Sequence, residues 1–176
     1  STHITSSIFA GFIVAFPYVF WEFWRFVSPA LHANETKMAR GIVFFSSVLF
    51  LLGVFFGYYV LAPLSVNFLG SYQVSSSVTN QISLTSFIST VTTVSFATGI
   101  VFELPVLTYF LTKIGLLTPD FMRVYRKHAI VVILILAAII TPPDVTSQIL
   151  VLLPLIVLYE ISIKISQRVV RNQEKS

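Results

Sequence analysis

The sequence predicts an all-α, polytopic membrane protein with five transmembrane helices. Of the 176 residues, 56 % are hydrophobic and 10 % are charged, whereas a soluble domain carries about 25 % charged residues. Apolar stretches recur at lengths near the roughly 20 residues that cross a hydrocarbon core. One stretch, IVVILILAAII, is apolar throughout and lacks the alternating polarity of a barrel strand. We therefore expect a single transmembrane domain over residues 1–176.

Hydrophobic segments separated by polar connections define the five predicted helices. The last two are short, because thirteen to fifteen helical residues reach only about 20–22 Å across a core of about 30 Å. Pro142 and Pro143 end the fourth segment, since neither can donate to a helix ladder. Short helices thin the bilayer locally or extend into the interface, and both interpretations stay open. The predicted helices cover about 6–28, 41–63, 85–112, 129–141 and 148–163.

The Lys and Arg residues predict the orientation. All eleven flank the first connection, flank the third connection or lie in the C-terminal tail. Short basic loops stay cytoplasmic, which places 29–40, 113–128 and 164–176 in the cytoplasm and 64–84 and 141–147 outside.

The same pattern places residue 1 outside, although the chain begins STHITSS, without an initiator Met or a signal-like segment. We therefore expect that an upstream helix is missing. A five-helix protein with a translocated N-tail is the alternative.

Glu103 is the candidate functional residue inside the apolar segments. The next charges along the chain are Arg40 and Lys113, and a lone intramembrane carboxylate is costly and is a functional candidate by default. Pro105 is expected to kink the helix nearby. Glu103 is interpreted as a polar docking point for another helix, with a structural carboxylate held by interhelical hydrogen bonds as the alternative. On one helix face it follows a stripe of small and hydroxyl residues, Thr85, Ser89, Thr92 and Gly99.

No catalytic or cofactor motif is found. The sequence contains no H-E-x-x-H, no G-x-S-x-G and no phosphate-binding Gly-rich loop. It has no cysteine, and His3, His32 and His128 lie near segment ends on both sides of the membrane, so they do not predict a metal site. We expect no enzymatic activity, cofactor or metal. The net charge of +4 is explained by membrane orientation rather than by nucleic acid.

Three stretches together resemble the TatC family, a subunit of the twin-arginine protein translocase. The resemblance covers nearly the whole chain from about Ala15, and it implies helices two to six of a six-helix family, with the first helix missing. Glu22 stands where the family usually has Gln, and ETK replaces its usual Glu followed by two basic residues. The stretches are FPYVFWEFWRFVSPALHANE, GIVFELPV and ITPPDVTSQILVLLPLIVLYE, with GLLTP as a further similarity.

The resemblance implies a non-enzymatic receptor and core subunit in the inner membrane, with a cytoplasmic C-terminus. It implies export of folded proteins driven by the proton-motive force. Glu35 would bind the paired arginines of signal peptides, and Phe26 would line the adjacent surface. Glu103, Thr141 and Gln148 would dock small single-helix subunits of the TatA/TatB type, in a complex that also contains further copies of the chain. A proton-coupled transporter in which Glu103 titrates and a scaffold without substrate are the alternatives.

Overall fold

The computed structural model describes residues 2–27, 36–71, 83–141 and 145–174, which form helices joined by turns. No β-strand occurs within these ranges, and the all-α class is confirmed. The helices are α1 Thr2–Val27, α2 Thr36–Phe56, a π-helical turn Gly57–Leu61, α3 Ala62–Ser71, α4 Leu84–Val101, α5 Leu104–Lys113, α6 Pro119–Val124, α7 Arg126–Ile140 and α8 Val145–Gln173.

Four stretches of the described chain are long and apolar enough to cross a membrane. The remaining predicted helix is α7, whose 15 residues reach about 22 Å. It is therefore short, as the fourth segment was predicted to be. The four longer stretches are Ser6–Phe26, Gly41–Phe68, Leu84–Lys113 and Val145–Gln173.

Two helices extend beyond their predicted ends. The second segment passes through the π-helical turn into α3 and so continues past 63 to Ser71. Pro63 does not stop it, because it lies in the first turn of α3, where a missing N–H is tolerated. The last helix has 29 residues, so the prediction that it is short is wrong. It continues from 163 to Gln173 because one side of the polar tail is buried. On that side, Thr112 Oγ1 donates a hydrogen bond to Ser166 Oγ at 2.8 Å.

The third predicted segment, 85–112, is divided into α4 and α5 by a turn at Phe102 and Glu103. Pro105 has no backbone N–H to donate to the Val101 carbonyl four residues earlier. The backbone tightens instead, with the Glu103 N–H donating to the Ile100 carbonyl at 3.0 Å. The predicted kink is confirmed, and it lies at the candidate functional residue.

Small residues bring α2 and α4 into close contact. A Cβ added at Gly57 would lie 2.6 Å from the Ser95 Cα, and one at Gly53 would lie 2.8 Å from the Gly99 Cα. The two backbones therefore approach where Gly53-x-x-x-Gly57 meets Ser95-x-x-x-Gly99, a spacing typical of membrane helix interfaces. Because Gly53 lies against Gly99 and Gly57 lies against Ser95, α2 and α4 are antiparallel.

Aromatic packing places α1 beside α4 and α5. The Phe9 ring lies 5.2 Å from the Phe96 ring of α4. The Trp24 and Phe110 rings, near the other end, are 5.1 Å apart. The helix α1 therefore runs parallel to α4 and α5, as expected for the first and third segments of an alternating bundle.

The last two helices continue the alternation. Arg126 at the start of α7 forms a forked ion pair with Glu160 of α8, with Nε–Oε1 at 2.9 Å and Nη2–Oε2 at 3.1 Å. Because Gln148 reaches the Leu134 carbonyl at 3.5 Å, α7 and α8 are antiparallel. At the end of α8, Gln173 Nε2 donates to the Lys113 carbonyl at 3.0 Å. The basic third connection and the basic tail thus lie at the same end of the bundle.

Candidate functional site

The carboxylate of Glu103 lies at the kink between α4 and α5 and faces α2. Ser46 Oγ, from a fully buried side chain of α2, donates a hydrogen bond to Glu103 Oε2 at 2.8 Å. The other oxygen, Oε1, is also buried, and it accepts no hydrogen bond from any described residue. One carboxylate oxygen is therefore held by the bundle, and the second is buried without a hydrogen-bond donor among the described residues.

A groove of about 340 Å³ opens beside this carboxylate, and we call it the carboxylate groove. Aromatic and aliphatic side chains from four helices, α1, α4, α5 and α7, form its walls, and Glu103 also lines it. The walls include Phe20 and Phe23 of α1, Leu107 and Phe110 of α5, and Leu136 of α7.

The polar stripe predicted ahead of Glu103 is only partly correct. Gly99 is buried, but Thr85 and Ser89 are exposed, and the Thr92 hydroxyl donates to the Ile88 carbonyl of its own helix at 2.7 Å. The buried face of α4 is rotated from the predicted one and carries Ser95, Thr98 and Gly99. Gly53 of α2 and Gly57 of the π-helical turn select this face, because it allows the closest approach of the two backbones.

Thr141 and Gln148 bracket the turn between α7 and α8, of which residues 142–144 lie outside the described part of the chain. The Thr141 side chain is buried, and its hydroxyl donates to the Ala137 carbonyl at 2.8 Å. Thr141 follows the groove residue Leu136 by about 7 Å along α7, at 1.5 Å per residue. Thr141 therefore lies nearer the exterior than the groove, whereas the Gln148 side chain reaches the Leu134 carbonyl, two residues from the groove residue Leu136.

The predicted signal-peptide residues are described only in part. Glu35 lies outside the described residues. Phe26, near the end of α1, has a side chain that is 85 % exposed. Beside it, Arg25 and Glu22 form an ion pair at 3.8 Å. Phe26 is thus available at the surface next to the first connection, and the signal-peptide site stays a prediction.

Sequence reasoning missed Ser46 and the glycines that set the helix register. A local signal existed for the glycines, because GVFFG is a G-x-x-x-G pattern inside an apolar segment. No local signal existed for Ser46, because its contact with Glu103 depends on how two helices 57 residues apart in sequence align.

These features define a class: a polytopic helical membrane protein with a carboxylate at an intramembrane helix break beside an apolar groove. Comparison with known proteins gives the family. Residues 1–154 match the model of the Sec-independent protein translocase protein (TatC) family. The chain belongs to this family, which confirms the resemblance seen in the sequence motifs.

Individual relatives and a solved structure indicate the same family. The Sec-independent protein translocase protein TatC of Blattabacterium sp. subsp. Periplaneta americana is 44 % identical over 164 residues, covering 93 % of this chain and 62 % of the relative. The TatC protein of Helicobacter pylori strain J99 is 45 % identical over 163 residues, covering 93 % and 65 %. A crystal structure of a twin-arginine translocase receptor TatC matches with a TM-score of 0.75 at 39 % identity, covering 92 % of this chain and 72 % of that one. The chain thus spans just under two thirds of the length of these two curated relatives.

Proposed function

We propose that the protein is a core receptor subunit of the twin-arginine translocase, without enzymatic activity of its own. It recognises twin-arginine signal peptides and docks single-helix subunits to export folded proteins with the proton-motive force. It lies in the inner membrane with its C-terminus in the cytoplasm. The observation that carries the docking role is the unpaired, buried Glu103 Oε1 beside an apolar groove. Membership of the TatC family favours this function over the proton-coupled transporter.

The carboxylate groove suits a partner that is itself a transmembrane helix. Its apolar walls would pack against apolar side chains, and one polar side chain of the partner would donate to Glu103 Oε1. Interhelical hydrogen bonds of this kind contribute about 0.6–2 kcal/mol each. Ser46 keeps the other oxygen occupied, so the carboxylate is oriented before the partner arrives. The same helix would also meet Gln148, which contacts α7 at Leu134, and Thr141 nearer the exterior.

Photocrosslinking in the full-length protein tests the docking role. A crosslinking residue at Leu107 or Leu136, both groove residues, is expected to capture the single-helix subunits. Crosslinkers at Thr141 and Gln148 are expected to do the same. The matched control is Leu52 on the outer face of α2, which is 53 % exposed against 54 % for Leu107.

Two variants test how much single polar side chains contribute to docking. Glu103→Ala should weaken the crosslinks at Leu107 without abolishing membrane insertion, because one hydrogen bond is lost and the apolar walls remain. Gln148→Leu should change which subunit occupies the turn. Crosslinks to lipid alone, with and without a signal-bearing substrate, would contradict the docking role and leave Glu103 as a structural residue.

Signal recognition is assigned to the first connection. Two arginines bring permanent charges and forked donors that suit a carboxylate, which Glu35 supplies, and exposed Phe26 supplies apolar surface. Glu35→Ala in the complete protein should weaken binding of a twin-arginine peptide, and binding to the unsubstituted protein should fall with added salt. Glu22→Ala is the control, because Glu22 pairs with Arg25. An unchanged, salt-independent affinity would remove Glu35 from the site.

A further inference from the structure

A second groove lies beside α5, and it shares Val106 with the carboxylate groove. Its volume is about 340 Å³, and its walls are almost entirely apolar. We call it the tyrosine groove. It is formed by Ile42 and Phe45 of α2, by Pro105, Val106 and Tyr109 of α5, and by Ile165 of α8.

Basic side chains stand at one end of the tyrosine groove. Lys113, at the end of α5, places its ammonium 5.7 Å from the Tyr109 ring centroid and 3.4 Å from the Tyr109 hydroxyl. Arg168 follows Ile165 by three residues on α8, so it projects from a neighbouring position of that helix and is exposed. The groove therefore combines an apolar trough with positive charge at the end where the apolar segments stop.

The groove is continuous with the apolar outer face of α2. Phe45, Val48, Leu52 and Phe55 are exposed there and recur at helical spacing on one face. In a membrane-spanning chain such a face contacts acyl chains. Phe45 belongs to both surfaces, so an acyl chain on the outer face of α2 adjoins the groove.

We propose that the tyrosine groove binds one anionic phospholipid. Part of an acyl chain lies along Phe45, Pro105 and Ile165, and the phosphate meets Lys113, with Arg168 adding to the positive potential. Anionic headgroups are attracted to basic side chains at a membrane surface. The proposal depends on the membrane-spanning arrangement and not on the translocase function.

The charge of the groove disfavours the other candidate occupants. A twin-arginine peptide would bring like charges towards Lys113 and Arg168, and such pairing is unfavourable. A partner helix with a polar side chain fits the carboxylate groove better, because Glu103 there has an oxygen that accepts no hydrogen bond from the described residues. A phospholipid supplies the apolar chain and the negative charge together.

Native mass spectrometry of the full-length protein tests whether the headgroup charge determines binding. It compares two lipids with identical acyl chains, phosphatidylglycerol and phosphatidylcholine. The protein is expected to retain phosphatidylglycerol preferentially. Lys113→Gln should reduce that preference about fivefold, the effect of removing one basic side chain at a membrane surface, and Lys113→Arg should preserve it. Lys127→Gln is the matched control, because Lys127 is exposed in the same basic region but lies on α7, which contributes no residue to the groove, whereas Lys113 contacts the groove residue Tyr109.

A second pair of variants tests whether the apolar part of the tyrosine groove holds the acyl chain. Gly41 lines the groove, and a Cβ added there would meet no atom within 4 Å. Gly41→Leu should fill the trough and lower retention of both lipids. The control is Gly11→Leu, because Gly11 has the same open surroundings and lies on α1 away from the groove.

Three results would overturn the proposal. One is an unchanged lipid preference in Lys113→Gln, and another is an equal loss in Lys127→Gln, which would indicate diffuse surface attraction. The third is displacement of phosphatidylglycerol by a twin-arginine peptide, which would assign the groove to the peptide. All three are independent of whether single-helix subunits dock at the carboxylate groove, so the two proposals fail separately.

Discussion

At the scale of single residues, Ser46 and Glu103 link α2 to the break between α4 and α5. Their hydrogen bond of 2.8 Å joins two different helices in an apolar environment. Ser47, the next residue, donates instead to the Val43 carbonyl of its own helix at 2.7 Å. The two neighbouring serines therefore have the same chemistry but different structural roles.

Ser46→Ala is expected to lower the stability of the bundle by about 1 kcal/mol, because it removes an interhelical hydrogen bond and leaves both Glu103 oxygens unpaired. Ser47→Ala should change stability much less, since only a bond within one helix is lost. Unfolding of the purified protein in mixed micelles, followed by circular dichroism, measures both. Equal losses for the two variants would contradict the assigned role of Ser46.

The sequence predicted Glu103 as a functional candidate but did not predict its partner Ser46. Glu103 was identifiable because an isolated carboxylate among apolar residues is unusual. Its partner was not, because a serine among the small residues of α2 has no distinguishing neighbours in sequence. The predicted stripe through Thr85 and Ser89 was rotated from the buried face for the same reason: the facing helix selects the register.

At the scale of elements, the contact between α2 and α4 depends on the absence of side chains at its glycines. A Cβ at Gly57 would lie 2.6 Å from the Ser95 Cα and 3.1 Å from the Val94 carbonyl oxygen. Both are backbone atoms, so the helices themselves must separate to admit a methyl group.

Gly57→Ala is therefore expected to destabilise the protein by about 1–3 kcal/mol, the usual cost of overpacking. Gly11→Ala should be neutral or stabilising by up to about 1 kcal/mol, because alanine favours a helix and the added Cβ meets nothing within 4 Å. The same unfolding experiment compares the two. Equal tolerance of both substitutions would contradict the close approach of α2 and α4.

Helix ends were less predictable than helix positions. Pro105 predicted the kink correctly, because a missing N–H acts within one turn of helix. The end of α8 was placed near 163, where charged residues begin, but the helix continues to Gln173. Charge marks where an apolar segment leaves the membrane, and it does not end a helix. The continuation depends on packing of Ser166 and Val169 against the bundle, which requires the tertiary structure.

At the scale of the whole molecule, the alternating helix directions show which ends lie on the same side, and the Lys and Arg residues at one of those sides predict that it faces the cytoplasm. Because the sequence has no cysteine, single cysteines report position without background. Arg171→Cys, on the exposed part of α8, should resist a membrane-impermeant thiol reagent in intact cells, and Ser71→Cys, at the end of α3, should react. Both should react after permeabilisation. Labelling of position 171 in intact cells would contradict the orientation.

The carboxylate groove and the tyrosine groove adjoin along α5, where both are lined by Val106, and the partner helix is proposed to dock in the carboxylate groove. Leu107→Trp should fill the carboxylate groove, whereas Leu52→Trp adds the same bulk at equal exposure on the outer face of α2. Copurification of a tagged single-helix subunit with the full-length protein measures the effect. We expect about a tenfold loss with Leu107→Trp, from the cost of overpacking the docking surface, and no loss with Leu52→Trp. Undiminished copurification with Leu107→Trp would contradict docking at Glu103.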